Sequence, residues 1–386
     1  MKTITLLLKI CLVALTTMVS ASCDDGAKRS KSIKFYVGSS DGKLSHSIFL
    51  CELDPAAEAF TVLDSFAGAR GASYLDLSPG QKYLFVINQE RWEESRNSTV
   101  SSFDVDAVTL ALEAINSQSS GGRGICHIHC SRDGGHIFAA NYGSGHASAL
   151  PVNEQGEIQP ASSVVIGEGA GPNERRQEGP HAHQVMLDPG QNFLLVPDLG
   201  IDKVLIYAFD PESGALSPNP AQASFSLPPG SGPRHLAFHP DGANLYVVNE
   251  LNSTLTACSY QASDGTITLL NTESTVEEDH EGMKYPAAVR VHPNGKYVYA
   301  STRGENSCIS TFEIKEDGRV SRIQVMEQVP NWPRDFNLDP SGKWMLVAGE
   351  RSNGIRLYRI DPRTGLLSET QTMLELPAPA NILFVE

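Results

Sequence analysis

One pattern recurs along this chain and decides what the chain can fold into. Six copies are plain: "LSPGQKYLFVIN" from Leu77, "CSRDGGHIFAAN" from Cys130, "LDPGQNFLLVPD" from Leu187, "FHPDGANLYVVN" from Phe238, "VHPNGKYVYAST" from Val291 and "LDPSGKWMLVAG" from Leu338. Successive copies start 47 to 57 residues apart. That period signals a propeller or solenoid built from one supersecondary unit per repeat. Within each copy a short apolar strand runs into a Pro/Asp/Gly turn. A second strand of alternating Tyr, Val, Leu and Phe follows and ends in Asn, Asp or Gly. The Asp-Gly and Asn-Gly pairs supply the positive-φ positions of a tight hairpin. Two further strand-like runs complete each unit, as in "VLIYAFD" then "ASFSLP". Four strands per unit make one propeller blade.

A seventh unit is split between the chain ends. "KFYVGSSDG" from Lys34 reads as a second strand without its first, and "PAPANILFVE" at the other end reads as a first strand without its second. Pairing them would close the ring and remove the exposed sheet edges that otherwise aggregate. The sequence therefore predicts an all-β, seven-bladed β-propeller of four-stranded blades over residues 33–386. Its ring is closed by pairing of the N- and C-terminal strands.

The stretch "ICHIHC" (Cys126, His127, His129, Cys130) invites a zinc reading. In repeat register it occupies a first strand, where side chains alternate faces. Cys126, Ile128 and Cys130 are expected on one face, with His127 and His129 on the other. Four ligands so split cannot surround one tetrahedral ion. The expectation is no metal, packed thiols and His127 beside the central channel.

The repeat also lets the mouth of that channel be enumerated. The start of each first strand holds Ser73, Cys126, His183, Arg234, Ala287, Arg334 and Ala380. The position just past each second strand holds Ser39, Gln89, Tyr142, Leu199, Glu250, Arg303 and Glu350. Slots that are small or apolar in some blades carry His183, Arg234, Arg334, Glu250, Arg303 and Glu350 in others. Three guanidiniums make a local positive well suited to bidentate capture of a carboxylate or phosphate. The plainer alternative is ion pairing between blades. "GPHAHQ" puts His181 and His183 on one face; arginines nearby should lower the His183 pKa and leave a neutral imidazole able to act as a base. The preceding loop "GEGAGPNERRQEGP", with Arg175 and Arg176, is expected to overhang the mouth as a partial lid.

The net charge of −15 argues against a nucleic-acid partner, which needs a basic face. Residues 1–23 carry Lys2 and Lys9 in a short apolar run that ends in small residues at Cys23, followed by acidic "DD". This resembles a lipoprotein signal in which Cys23 is lipidated, with a linker over residues 24–32. An exported protein follows, an outer-membrane lipoprotein on the periplasmic or cell-surface side, touching the membrane only through its lipid. The remaining cysteines, Cys51, Cys126, Cys130, Cys258 and Cys308, are odd in number and scattered, so they read as small buried hydrophobes. No P-loop, Rossmann fingerprint, G-x-S-x-G elbow or H-E-x-x-H is present, and no cofactor is expected.

Several longer stretches carry a family resemblance: "ANYGSG" ending at Gly145, "GPHAHQVMLDP" from Gly179, "PDLG" from Pro197, "GPRHLAFHPDG" from Gly232, "VVNELNST" from Val247 and "PRDFNLDPSGKWMLVAGE" from Pro333. Together they resemble the lactonase family of seven-bladed propellers, which includes bacterial 6-phosphogluconolactonase of the propeller type and is related to carboxymuconate-lactonizing enzymes. The resemblance implies hydrolysis of a small-molecule sugar lactone; a monomer is the separate expectation. Carried over by position, His183 or His181, Arg234 and Glu250 are implied as catalytic. Arg303 and Arg334 are implied substrate contacts; Glu350, Gln89, Tyr142 and His127 join them from the mouth and channel. The arginines would hold an anionic group and polarise the lactone carbonyl, while His183 or Glu250 activates water. The alternatives are a non-catalytic surface propeller that binds a sugar or protein partner, and a muconate-type cycloisomerase.

Overall fold

A computed structural model describes residues 32–89 and 98–385. The expected signal and lipidation site, through Cys23, lie outside the described residues. The described residues form seven antiparallel sheets arranged as blades around a central channel. Six blades follow chain order: residues 75–119, 125–166, 186–226, 233–274, 285–327 and 333–375. Blade 1 combines the strands Ile33–Ser39, His46–Asp54 and Ala59–Ala67 with the C-terminal strand Pro379–Phe384, which pairs Phe35 with Phe384 and Val37 with Ile382. The split seventh repeat thus closes the ring as its sequence predicts.

The period-2 pattern explains why blades form and how they stack. In the strand Asn244–Asn249 of blade 5, Leu245 and Val247 enter the core shared with blade 4, whereas Tyr246 and Val248 enter the core shared with blade 6. Each second strand is apolar on both faces because a neighbouring blade covers each face. Seven apolar clusters result among the described residues, one at each blade–blade interface. The turn glycines do what their slot requires: Gly242 and Gly295 sit at φ of 73° and 72° in equivalent hairpins, a conformation that side chains disfavour. The five cysteines Cys51, Cys126, Cys130, Cys258 and Cys308 are buried and free.

Simple alternation also fails at the mouth ends of inner strands, and those breaks build the site. The inner strands of blades 1, 3, 5, 6 and 7 carry a bulge at their mouth end; the extra residues in blades 1, 3, 5 and 7 are Ala380, Cys126, Arg234 and Arg334, and in blade 6 Ala287 and Ala288 together oppose Ser301. Cys126 therefore does not share a face with Ile128 and Cys130. It packs between blades 3 and 4, while the other two pack between blades 2 and 3. The expected side-chain alternation along "ICHIHC" is corrected by this bulge, which re-aims one side chain without ending the strand. In blade 4 the inner strand shrinks to Met186–Leu187 plus an isolated bridge from Ala182 to Asp198, and His183 lies between them.

Candidate active site at the channel mouth

Seven of the enumerated mouth positions meet. Gln89, Cys126, Tyr142, His183, Glu250, Arg303 and Arg334 line one cavity of about 280 Å³, together with Gly124 and Arg176. Strand ends and bulges from six blades supply the seven, so the cavity exists only when the ring is closed.

Glu250 is its electrostatic centre. It follows the strand Asn244–Asn249, and its backbone N–H donates to Gly232 O at 2.8 Å. One carboxylate oxygen, Oε2, lies 2.6 Å from Arg303 Nη2 and 3.0 Å from Arg234 Nε; the other, Oε1, lies 2.7 Å from Arg176 Nη2. Burial would raise the Glu250 pKa, but Arg303, Arg234 and Arg176 outweigh it and hold the carboxyl at about 2. Glu250 is thus an anion at any physiological pH. Arg234 is 1% exposed, donates Nη1–H to Ala287 O at 2.6 Å, and sits behind Glu250 rather than on the cavity wall. Burial and the neighbouring Arg303 lower its guanidinium to about 9, which leaves it charged at neutral pH. Arg303 also donates Nε–H to Tyr285 O at 3.1 Å. Arg334 lines the cavity and has no hydrogen bond or carboxylate partner among the described residues.

His183 lies 6% exposed on the same wall, with Nδ1 3.8 Å from Cys126 Sγ. Burial first, then Arg234, Arg334 and Arg303, hold its pKa well below the ordinary imidazole value, so the ring is neutral. His181 faces elsewhere. Its ring stacks on Tyr142 at 4.5 Å and bonds to Tyr142 O and the Glu178 carboxylate, away from the cavity lining. Glu350 accepts from Ser40 Oγ at 2.6 Å and is also outside the lining, though near enough for its charge to act on Arg303. His127 sits deeper in the channel, against Tyr74 at 4.0 Å and His235 at 5.4 Å.

Residues 34–384 match the family model described as lactonase, 7-bladed beta-propeller. The chain belongs to the lactonase family of seven-bladed β-propellers. It is 29% identical to the 6-phosphogluconolactonase of Bacillus subtilis (strain 168), over 91% of this chain and 97% of that one. Against the 6-phosphogluconolactonase of Yersinia pestis (strain Pestoides F) it is 31% identical, over 86% and 92% of the two chains. The solved periplasmic gluconolactonase of Pseudomonas aeruginosa superposes with a TM-score of 0.86 at 27% identity, covering 92% of this chain and 99% of that one.

This lactonase lines the cavity with one side chain beyond the enumerated slots. Arg176 reaches the cavity from the strap of residues 167–180, which was expected to overhang the mouth. The strap is pinned by Gln177, fully buried, whose side chain donates to Leu199 O at 2.9 Å and Asp202 Oδ1 at 2.8 Å. Its far end packs on the "ANYGSG" turn so closely that a Cβ on Gly145 would lie 2.5 Å from Pro180 O. Sequence reading located the strap, but no repeat position marks which of its arginines points inward. Trp332 stands at the rim, 5.3 Å from the Arg303 guanidinium and 3.3 Å from that of Arg351.

Proposed function

We propose that this chain hydrolyses a sugar lactone at the channel mouth. The observation that carries this reading is a neutral imidazole, His183, on the wall of the same cavity as Arg303 and Arg334, the latter without a carboxylate partner among the described residues. In the proposed reaction His183 takes a proton from water as the water oxygen bonds to the lactone carbonyl carbon. Arg334 and Arg303 stabilise the oxyanion that forms, in a site where fixed charges act at low dielectric. The tetrahedral species then breaks its ring C–O bond, and the imidazolium returns its proton to the departing alkoxide, giving the open hydroxy acid. Gln89 and Tyr142 offer polar contacts to ring hydroxyls.

Glu250 has a different role in this reading. With a pKa of about 2 it is a poor proton acceptor. It instead gathers Arg234, Arg303 and Arg176 and fixes their geometry. His183 is preferred to His181 as the base because His181 is turned into its own contacts with Glu178 and Tyr142.

The decisive assay follows acid release from 6-phosphogluconolactone and glucono-δ-lactone, corrected for spontaneous opening, by protein lacking residues 1–23. Acceleration that disappears in Arg334→Ala and His183→Asn is the expected result. A folded wild type that accelerates neither lactone would move the weight to the binding-only reading. The periplasmic location of the Pseudomonas relative supports export of this chain through residues 1–23; lipid on Cys23 is proposed from the signal-like sequence alone. Palmitate labelling of the full chain, lost in Cys23→Ala, checks it.

A further inference from the structure

Four guanidiniums gather at the mouth, and they are not equivalent. Arg234, Arg303 and Arg334 are fixed by strands and bulges of the ring. Arg176 alone comes from the strap. Its side chain is 33% exposed, against 2% for Arg234 and 6% for Arg303. It forms the outer wall of the cavity, with Nε and Nη2 at 3.3 and 3.2 Å from Tyr142 OH and its guanidinium 6.0 Å from the Tyr285 ring centre.

Its main tie is to Glu250 Oε1, while Oε2 is held independently by Arg234 and Arg303. If Arg176 turned away, Glu250 would keep two cationic partners. The charge count favours such an exchange. Three guanidiniums contact the Glu250 carboxylate and Arg334 stands beside them, while Glu350 acts on Arg303 from outside the lining, so among the described residues the cluster carries excess positive charge in a poorly solvated place. An incoming anion would relieve that repulsion, and an arginine at the outer wall can meet it without leaving the strap.

Resting on the lactonase reading of this site, we propose that Arg176 is a specificity-determining residue: it exchanges Glu250 for an anionic substituent on the lactone and so sets the preference for charged over neutral rings. The proton-transfer and oxyanion roles stay with His183, Arg303 and Arg334. A neutral lactone leaves Arg176 on Glu250 and gains nothing from it.

The test compares wild type, Arg176→Gln and Arg176→Lys on a phosphorylated and an unphosphorylated aldonolactone. Calorimetric binding of the two matching open acids is measured on the same proteins. In Arg176→Gln, kcat/KM for the phosphorylated lactone should fall roughly 10- to 100-fold, mainly through KM, as expected for one lost charge-assisted contact. The unphosphorylated lactone should change by less than about threefold, which also shows that the variant is folded. Arg176→Lys should recover part of the loss. An equal fall on both lactones would overturn the proposal and leave Arg176 as a clamp on Glu250; no change on either would overturn it too. If wild type hydrolyses neither lactone, the lactonase reading fails by itself. The acids then decide about Arg176: preferential binding of the phosphorylated acid that Arg176→Gln abolishes supports it, and equal binding sinks it.

Discussion

At the scale of single residues, the proposed reaction gives Glu250 a structural role and His183 a chemical one. Glu250 is a buried carboxylate that compensates three arginines. Glu250→Gln leaves those cations uncompensated and should cost about 3 kcal/mol of stability in urea unfolding, as when one partner of a buried ion pair is removed. His183 has no comparable partner to abandon. His183→Asn should therefore change stability by no more than about 1 kcal/mol, yet lower kcat/KM about 10²- to 10⁴-fold, the usual range for a lost general base. The reverse pattern, a stable Glu250→Gln with a crippled fold in His183→Asn, would exchange the two roles. Because burial and three arginines depress the His183 pKa, wild-type kcat/KM should stay level from pH 7.5 to 6 rather than bend near 6.5.

At the scale of elements, the bulge and the closing strand matter most. Each bulge adds one residue at the mouth end of an inner strand, and in blades 5 and 7 that residue is an arginine. The repeat identified these slots by counting back from the turn. It did not reveal that they are bulged, because a bulge follows from the ladder between two strands rather than from either strand's composition. The same blindness explains why Cys126 departs from alternation. The closing strand Pro379–Phe384 is legible because its apolar residues fit the missing position of the first blade. Ile382 is 1% exposed in the core between blades 7 and 1. Ile382→Asp buries an unpaired charge there and should cost about 3 to 5 kcal/mol. It should also free the edge of Ile33–Ser39, seen as aggregation by light scattering. A soluble, ring-closed variant of near wild-type stability would contradict this account of closure.

At the scale of the whole molecule, the channel is a column of neutral histidines. His127, His183 and His235 are each buried, with His235 5.4 Å from both of the others, and burial holds all three pKa values well below the ordinary imidazole value of about 6.5. Below pH 6.5 the unfolded chain binds protons that the folded chain refuses. Stability is therefore complete above that pH and is lost as the pH falls, by up to about 1.4 kcal/mol per pH unit for each histidine. Glu250, depressed to about 2, adds a second loss below its unfolded value of 4.5. The urea midpoint should accordingly drop between pH 7.5 and 5.5, and His127→Phe should flatten the slope. A midpoint unchanged over that range would show that the column does not govern acid stability.

The sequence by itself determined the fold, the blade count, the closure and the mouth positions, because each follows from local order repeated along the chain. A turn glycine, a period of two and a period of about fifty residues are all one-dimensional facts. Repeat register was enough to nominate Gln89, Tyr142, His183, Glu250, Arg303 and Arg334 as neighbours. Only the closed ring decided what those neighbours do to one another. It put Arg234 behind Glu250 instead of on the wall, turned His181 into the strap and left Arg334 without a carboxylate among the described residues. It also brought Arg176 across from a loop. The reason is physical: pKa values, ion pairing and access depend on distances of a few ångströms between blades far apart in the chain, and no periodicity encodes those distances.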